Sequence, residues 1–113
     1  MNKKVVVMIT GASKGLGRAL TIAFAKEGAR LAICSRSEKS LEKVKQEAEG
    51  LGAEVLAIRA DVSQPGDVER FVALTQEVYG QIDVLVNNAS VLGPSPMPLL
   101  LDYPEENFGE VLR

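Results

Sequence analysis

The sequence has a single cysteine, little excess of either charge and no apolar run long enough to cross a bilayer, and each shortage removes a class of protein. Cys34 has no partner for a disulfide within one chain, and its place in the apolar run 31–34 predicts a buried, inert thiol. A net charge of -2, with basic residues scattered along the chain, gives no electrostatic footprint for nucleic acid. Met1-Asn2-Lys3-Lys4 imitates the charged start of a signal peptide, but the apolar run at 5–9 ends in Thr10-Gly11 and is too short for an h-region. A cytoplasmic location is therefore expected. The other apolar stretch, 91–101, is broken by Pro94, Pro96 and Pro98 and falls well below the roughly 20 residues of a membrane span, so no membrane partner is expected. Repeats at a solenoid period and low-complexity tracts are also missing.

What is present is the composition of a folded domain: 46% apolar and 25% charged residues. At 113 residues the chain has room for one core, so residues 1–113 read as one domain. Short continuous apolar runs alternate with longer segments of helical spacing, the pattern of repeated βα units and hence of an α/β fold with a parallel sheet. Strands are predicted at 5–10, 30–35, 54–60 and 83–87. Val5-Val6-Val7 and Val84-Leu85-Val86 are apolar on consecutive residues, as required when helices cover both faces of a strand. Helices are predicted at 16–27, ended by Gly28 in a left-handed conformation, and after Ser37 as N-cap, with Leu41, Val44, Ala48 and Leu51 on one face. A third follows Ser63 and Pro65, carries Val68, Phe71, Val72, Thr75 and Val78, and stops at Gly80. These stripes read as core. A Ser-, Gly- and Pro-rich loop is expected at 88–98, and a further helix from Pro104.

The chemistry begins at Thr10-Gly11-Ala12-Ser13-Lys14-Gly15-Leu16-Gly17, where the first strand turns into the first helix. Glycines there let backbone approach a ligand, and the helix start offers unpaired N–H groups and a positive dipole end, so Gly11, Ser13, Lys14, Gly15, Leu16 and Gly17 form a candidate pyrophosphate cradle. The spacing Gly-x-x-x-Gly-x-Gly differs from the general G-x-G-x-x-G fingerprint, and the Gly-Lys-Ser/Thr ending of a P-loop is missing. Taken alone, the loop is either a cofactor site or a tight turn.

Three motifs in register, Thr10-Gly11-x-x-x-Gly15-x-Gly17, Asp61 after the third strand, and Asp83-Val84-Leu85-Val86-Asn87-Asn88-Ala89 at the fourth, resemble the short-chain dehydrogenase/reductase family over essentially the whole chain. The resemblance implies a Rossmann-type doubly wound parallel sheet, cut off after the fourth strand and the start of the next helix. It also implies an NAD(P)-dependent oxidoreductase that moves hydride between the cofactor and a carbonyl or alcohol substrate, of which this chain is the dinucleotide-binding half. In that family the glycine loop wraps the cofactor phosphates. Asp61 would accept from the adenine amino group, with Val62 beside the ring. Asn87 would tie the fourth strand to the glycine turn, and Asn88, Ala89 and Ser90 would lie toward the nicotinamide ribose. Ser90 stands where glycine is more usual in the family. On the residues alone, Asp61 also reads as a cap of the following turn and Asn87-Asn88 as a polar strand exit.

At the end of the second strand an acidic residue would favour NAD and a basic one NADP. Ser35-Arg36-Ser37 has no carboxylate, Arg36 can grip a phosphate bidentately, and Lys14 could approach the same group, which together favour NADP over NAD. The alternative is that both cations are solvated surface charges. The family's catalytic Asn-Ser-Tyr-Lys set maps onto no residue here: Tyr79 and Tyr103 are the only tyrosines, and neither has a lysine four positions on. Phe108 stands where the family often has tryptophan, and Asn107 falls on the wrong side of it to be the motif asparagine. The chain is thus expected to be inactive alone and to self-associate or dock with a missing half through the edge of Val84-Leu85-Val86. A non-catalytic dinucleotide-binding or dimerisation module is the alternative, and a reading frame continuing into Ser and Tyr-x-x-x-Lys would exclude it. No metal site and no particular substrate emerges.

Overall fold

The computed structural model describes residues 4–88; the expected helix from Pro104, most of the loop at 88–98, and Ala89 and Ser90 lie outside the described residues. The elements run β1 (Val6–Ile9), α1 (Gly15–Lys26), β2 (Arg30–Ser35), α2 (Glu38–Gly50), β3 (Val55–Arg59), α3 (Pro65–Tyr79) and β4 (Val84–Val86). Every predicted element among these is present, with β1, β3 and β4 one residue shorter at each end than expected and β2 as expected. The four strands form one parallel sheet in the order β3-β2-β1-β4.

The register explains why the strands are apolar on consecutive residues. Val7 lies beside Leu31 and Val84, and Leu31 beside Val55; one residue on, Met8 lies beside Ala32 and Leu85, and Ala32 beside Leu56. The first row joins Leu41, Val44 and Ala48 of α2 and Ala25 of α1 in one cluster, and the second joins Phe71 of α3 in another. Helices α1 and α2 therefore cover one face and α3 the other, so each row needs an apolar side chain. Full burial of a side chain of this size, such as Phe71, contributes about 1.5–3 kcal/mol.

Local signals place the helices. Ser37 caps α2 by accepting from the Ser40 N–H, α1 runs out into Gly28 at φ 86°, and α3 ends at Gly80 with φ 76°. Two hydroxyls within the packed stripes are satisfied locally: Thr21 and Thr75 donate to the carbonyls of Gly17 and Phe71, each at 2.8 Å.

The stripes are narrower than expected. Leu51 is 46% exposed because it is the residue at which the chain leaves α2, and so no longer points with Leu41, Val44 and Ala48. On α3, Phe71 and Thr75 are buried, whereas Val68, Val72 and Val78 are 37%, 39% and 55% exposed. At about 100° per residue Val68 and Val72 fall on one side of the Phe71–Thr75 line and Val78 on the other, so the sheet covers a narrower strip of α3 than the apolar stripe.

One buried and one partly buried group make the packing sensitive to alkali. Cys34 is fully buried, and desolvation pushes its thiol from 9.0 to about 12. The Tyr79 hydroxyl donates to the Leu31 carbonyl at 3.0 Å, and burial, followed by the Glu54 charge, pushes it from 10.0 to about 12. Both groups keep their proton longer in the folded than in the unfolded chain, so their contribution is intact below pH 9.0 and is lost as pH climbs to about 12. The urea midpoint is expected to fall across that window, and Cys34→Ala should remove the early part of the fall.

Candidate functional site

Because all four strands point the same way, their C-terminal ends share one edge of the sheet. The chain winds outward from β1 through β2 to β3 and then returns to place β4 on the other side of β1, so the winding direction reverses between β1 and β4. A crevice opens at the strand ends of such a switch point. The glycine turn leaves β1 there, Arg36 leaves β2, Asp61 leaves β3, and Asn87 and Asn88 leave β4.

The turn after β1 is pinned from both sides. The Ala12 N–H donates to the Cys34 carbonyl of β2 at 3.0 Å, and the Asn88 side-chain amide donates to the Gly11 carbonyl at 3.2 Å. The Thr10 hydroxyl accepts from the Asn88 N–H at 2.8 Å and donates to Asn87 Oδ1 at 3.2 Å. The tie assigned by resemblance to Asn87 is thus divided: Asn87 holds Thr10, and Asn88 reaches the glycine turn itself. Gly17 lies under this knot, where a Cβ would stand 2.0 Å from the Gly11 carbonyl oxygen and 2.6 Å from Asn88 Nδ2. Gly15 has a different reason to be glycine, since its φ is 61° and a Cβ there would meet nothing within 4 Å. Helix α1 starts at Lys14 with no side-chain cap and no acidic residue in its first turn, which leaves its N–H groups and positive dipole end open to an anion.

A cavity of about 570 Å³ lies along this edge, within the range of small-molecule sites. It is lined by Gly11, Ser13, Lys14 and Leu16 of the glycine turn, Ser35 and Arg36 after β2, Asp61 and Val62 after β3, and Asn88. Gly15 and Gly17, expected as contacts, do not line it; they shape the turn that does. Ser35 lines it with a hydroxyl already engaged, accepting from the Ser37 N–H at 3.0 Å and donating to the Ser37 carbonyl at 3.3 Å. That bond folds the β2–α2 corner and leaves Arg36 exposed at its apex, with no ion pair among the described residues.

Asp61 caps its own turn and keeps one carboxylate oxygen uncommitted among the described residues. Its Oδ1 accepts from the Ser63 N–H at 2.9 Å and the Ser63 hydroxyl at 2.7 Å, which caps the turn, while no hydrogen bond among the described residues uses Oδ2. Those two bonds, helped by the guanidinium groups of Arg36 and Arg59, hold its carboxyl below the usual carboxylate range. A charged acceptor therefore faces the cavity near Arg36. The cavity also includes Ser37, Ser40, Ala60 and Ser63, which sequence reasoning did not place there. For Ser37 the cap signal hid the second role; Ser40, whose hydroxyl lies 3.1 Å from that of Ser37, was legible only as the residue one turn further along the same helix face.

Comparison with known proteins agrees with this geometry. The family model described as short chain dehydrogenase matches residues 5–113. The chain belongs to the short-chain dehydrogenase family. Among its members, 2-(R)-hydroxypropyl-CoM dehydrogenase of Xanthobacter autotrophicus is 40% identical over 108 residues, covering 95% of this chain and 43% of the relative. An 11-beta-hydroxysteroid dehydrogenase A of Sesamum indicum is 44% identical over 91 residues, covering 80% of this chain and 26% of the relative. A short-chain type dehydrogenase/reductase from Mycobacterium marinum superposes with TM-score 0.75 at 36% identity, over 95% of this chain and 42% of that one. An NAD+-bound xylitol dehydrogenase superposes equally well, with TM-score 0.75 at 31% identity, over 96% and 41%. The chain thus spans less than half the length of these short-chain dehydrogenases and corresponds to their N-terminal part. No helix among the described residues is long and apolar enough to cross a membrane.

The two glycines separate by mechanism. Gly17→Ala forces backbone apart under the Thr10–Asn88 knot and is expected to cost about 3 kcal/mol or more. Gly15→Ala meets no atom and carries only the left-handed strain of about 1–2 kcal/mol. Denaturant midpoints of the two variants check this ordering.

Proposed function

We infer that this chain is the dinucleotide-binding part of an NADP-dependent oxidoreductase acting between a carbonyl and an alcohol. The observation that carries the reading is the convergence, in one cavity, of an uncapped helix start, a guanidinium with no ion pair among the described residues and a charged carboxylate. Those groups fit an adenosine diphosphate with a 2′-phosphate. The N–H groups at the start of α1 and the backbone of Gly11 and Ser13 would take the pyrophosphate. Arg36, with Lys14 of the same cavity lining, would grip the 2′-phosphate, and no carboxylate follows β2 directly to repel it. Asp61 Oδ2 would accept from the adenine amino group, Val62 would lie against the ring, and Asn88, followed by Ala89 and Ser90, would lead toward the nicotinamide ribose. The family's nicotinamide cofactors and the NAD+ held by the xylitol dehydrogenase support a dinucleotide in this cavity, while the choice of NADP over NAD rests on Arg36 and Lys14 alone.

The nicotinamide supplies the hydride when bound. What this chain's residues do is bind and orient it. Proton transfer to the substrate oxygen needs a hydroxyl with a lowered pKa, and Tyr79 is the opposite: its hydroxyl is bonded to Leu31 and pushed up to about 12. The chain by itself is therefore expected to bind without turnover. The reading also takes residues 1–113 as one partial domain whose exposed α3 valines and β4 edge meet a second half.

Calorimetric titration with NADPH and NADH tests the cofactor assignment. NADPH is expected to bind at least about tenfold more tightly, the gain of one charge-assisted contact, and Arg36→Glu should reverse the order. Equal affinities, or failure of the folded chain to bind either, would overturn it. Size exclusion with light scattering tests the edge: self-association, or association with a supplied C-terminal half, is expected, and a monodisperse monomer that ignores that half would contradict it.

A further inference from the structure

Asp61 is held in place by a residue outside its own turn. The Asp61 N–H lies one position past the last ladder bond of β3, in which the Ala60 N–H donates to the Ser35 carbonyl at 2.9 Å. Instead of continuing the sheet, it donates to Asp67 Oδ2 at 2.8 Å, across the whole β3–α3 turn. Asp67 sits in the first turn of α3, the usual place for a carboxylate, but its oxygen passes over the helix's own start to reach Asp61. Its other oxygen, Oδ1, is 3.4 Å from Arg70 Nη1, and Arg70 Nη2 donates to the carbonyl of Arg59 at the end of β3. Within the turn, the Asp61 carbonyl accepts from the Gln64 N–H at 2.9 Å and Oδ1 from Ser63, so the turn is rigid as a unit. What fixes that unit relative to the sheet is the strap from α3 through Asp67 and Arg70 to β3.

We propose that Asp67 is a positioning residue for adenine selection: by holding the Asp61 backbone, and held in turn by Arg70, it aims Asp61 Oδ2 at the adenine amino group. The inference rests on the dinucleotide reading above and deepens it. A group that sets the direction of an acceptor controls which base is preferred, whereas a group that only stabilises the fold weakens all ligands alike.

The test compares binding of NADPH and of its hypoxanthine analogue, which carries a carbonyl where adenine carries the amino donor. The unaltered chain is expected to prefer NADPH about tenfold, the worth of one hydrogen bond to a charged acceptor. Asp67→Ala should reduce that ratio to below about threefold, while Asp67→Asn, which keeps an oxygen acceptor for the Asp61 N–H, should restore it to within about twofold of the original. Loss of affinity for both dinucleotides by one factor, with the ratio intact, would overturn the proposal. Should Asp67→Ala not fold, Arg70→Ala tests the strap from its other end: the ratio is expected to fall about threefold, and an unchanged ratio would count against it. If the unaltered chain binds both dinucleotides equally, the adenine role of Asp61 fails and this inference with it; if it binds neither, the dinucleotide reading itself has failed.

Discussion

Parallel pairing dictates most of what this molecule can do. Parallel strands cannot be joined by tight hairpins, so each must be followed by a crossover, and every strand then releases its chain at the same edge of the sheet. Here β1, β2, β3 and β4 deliver the glycine turn, Arg36, Asp61 and Asn88 to one edge, although these residues are up to 77 positions apart in sequence. The same pairing buries both faces of the strands and so demands the unbroken apolar runs that make the core. Core and site are thus consequences of one geometric constraint, and the polar residues at the strand exits are free to specialise.

What that edge adds is a set of hydrogen bonds that fix flexible turns without a regular element. The Thr10 hydroxyl bonds both Asn87 and Asn88, Asn88 holds the Gly11 carbonyl, and Gly17 leaves the space in which that contact forms. Ser35 folds the corner behind Arg36, and Ser63 fixes the carboxylate of Asp61. Each bond is modest by itself, on the order of 1 kcal/mol. Together they hold backbone N–H groups, a guanidinium and a carboxylate in a fixed relation, and such preorganisation would lower the ordering cost of binding the proposed dinucleotide.

The sequence made the architecture legible because its signals were local and repeated: consecutive valines for two-sided strands, Ser37 before α2, Gly28 and Gly80 after α1 and α3. It also placed Asp61, Arg36 and the glycine turn at strand exits, which is where the cavity lies. Three things were beyond it. Which of Asn87 and Asn88 reaches the glycine turn depends on side-chain direction at an irregular strand end. Periodicity could not separate Phe71, which the sheet covers, from Val68, Val72 and Val78, which share its apolar stripe but are exposed. The roles of Ser40, Ser63 and Asp67 depend on contacts across turns, for which a single sequence has no period to read.

Amide chemical-shift mapping with NADPH on the isotopically labelled chain tests the central claim, that one sheet edge gathers one binding site from four strand exits. The account predicts shifts confined to that edge: the amides of Gly15, Leu16 and Gly17 at the open start of α1, those of Arg36 and Ser37, of Asp61 and Val62, and of Asn88, with Gly28, Gly52 and Gly80 at the opposite ends of the helices unmoved. Shifts centred on those opposite ends, or at only one of the four exits, would contradict it.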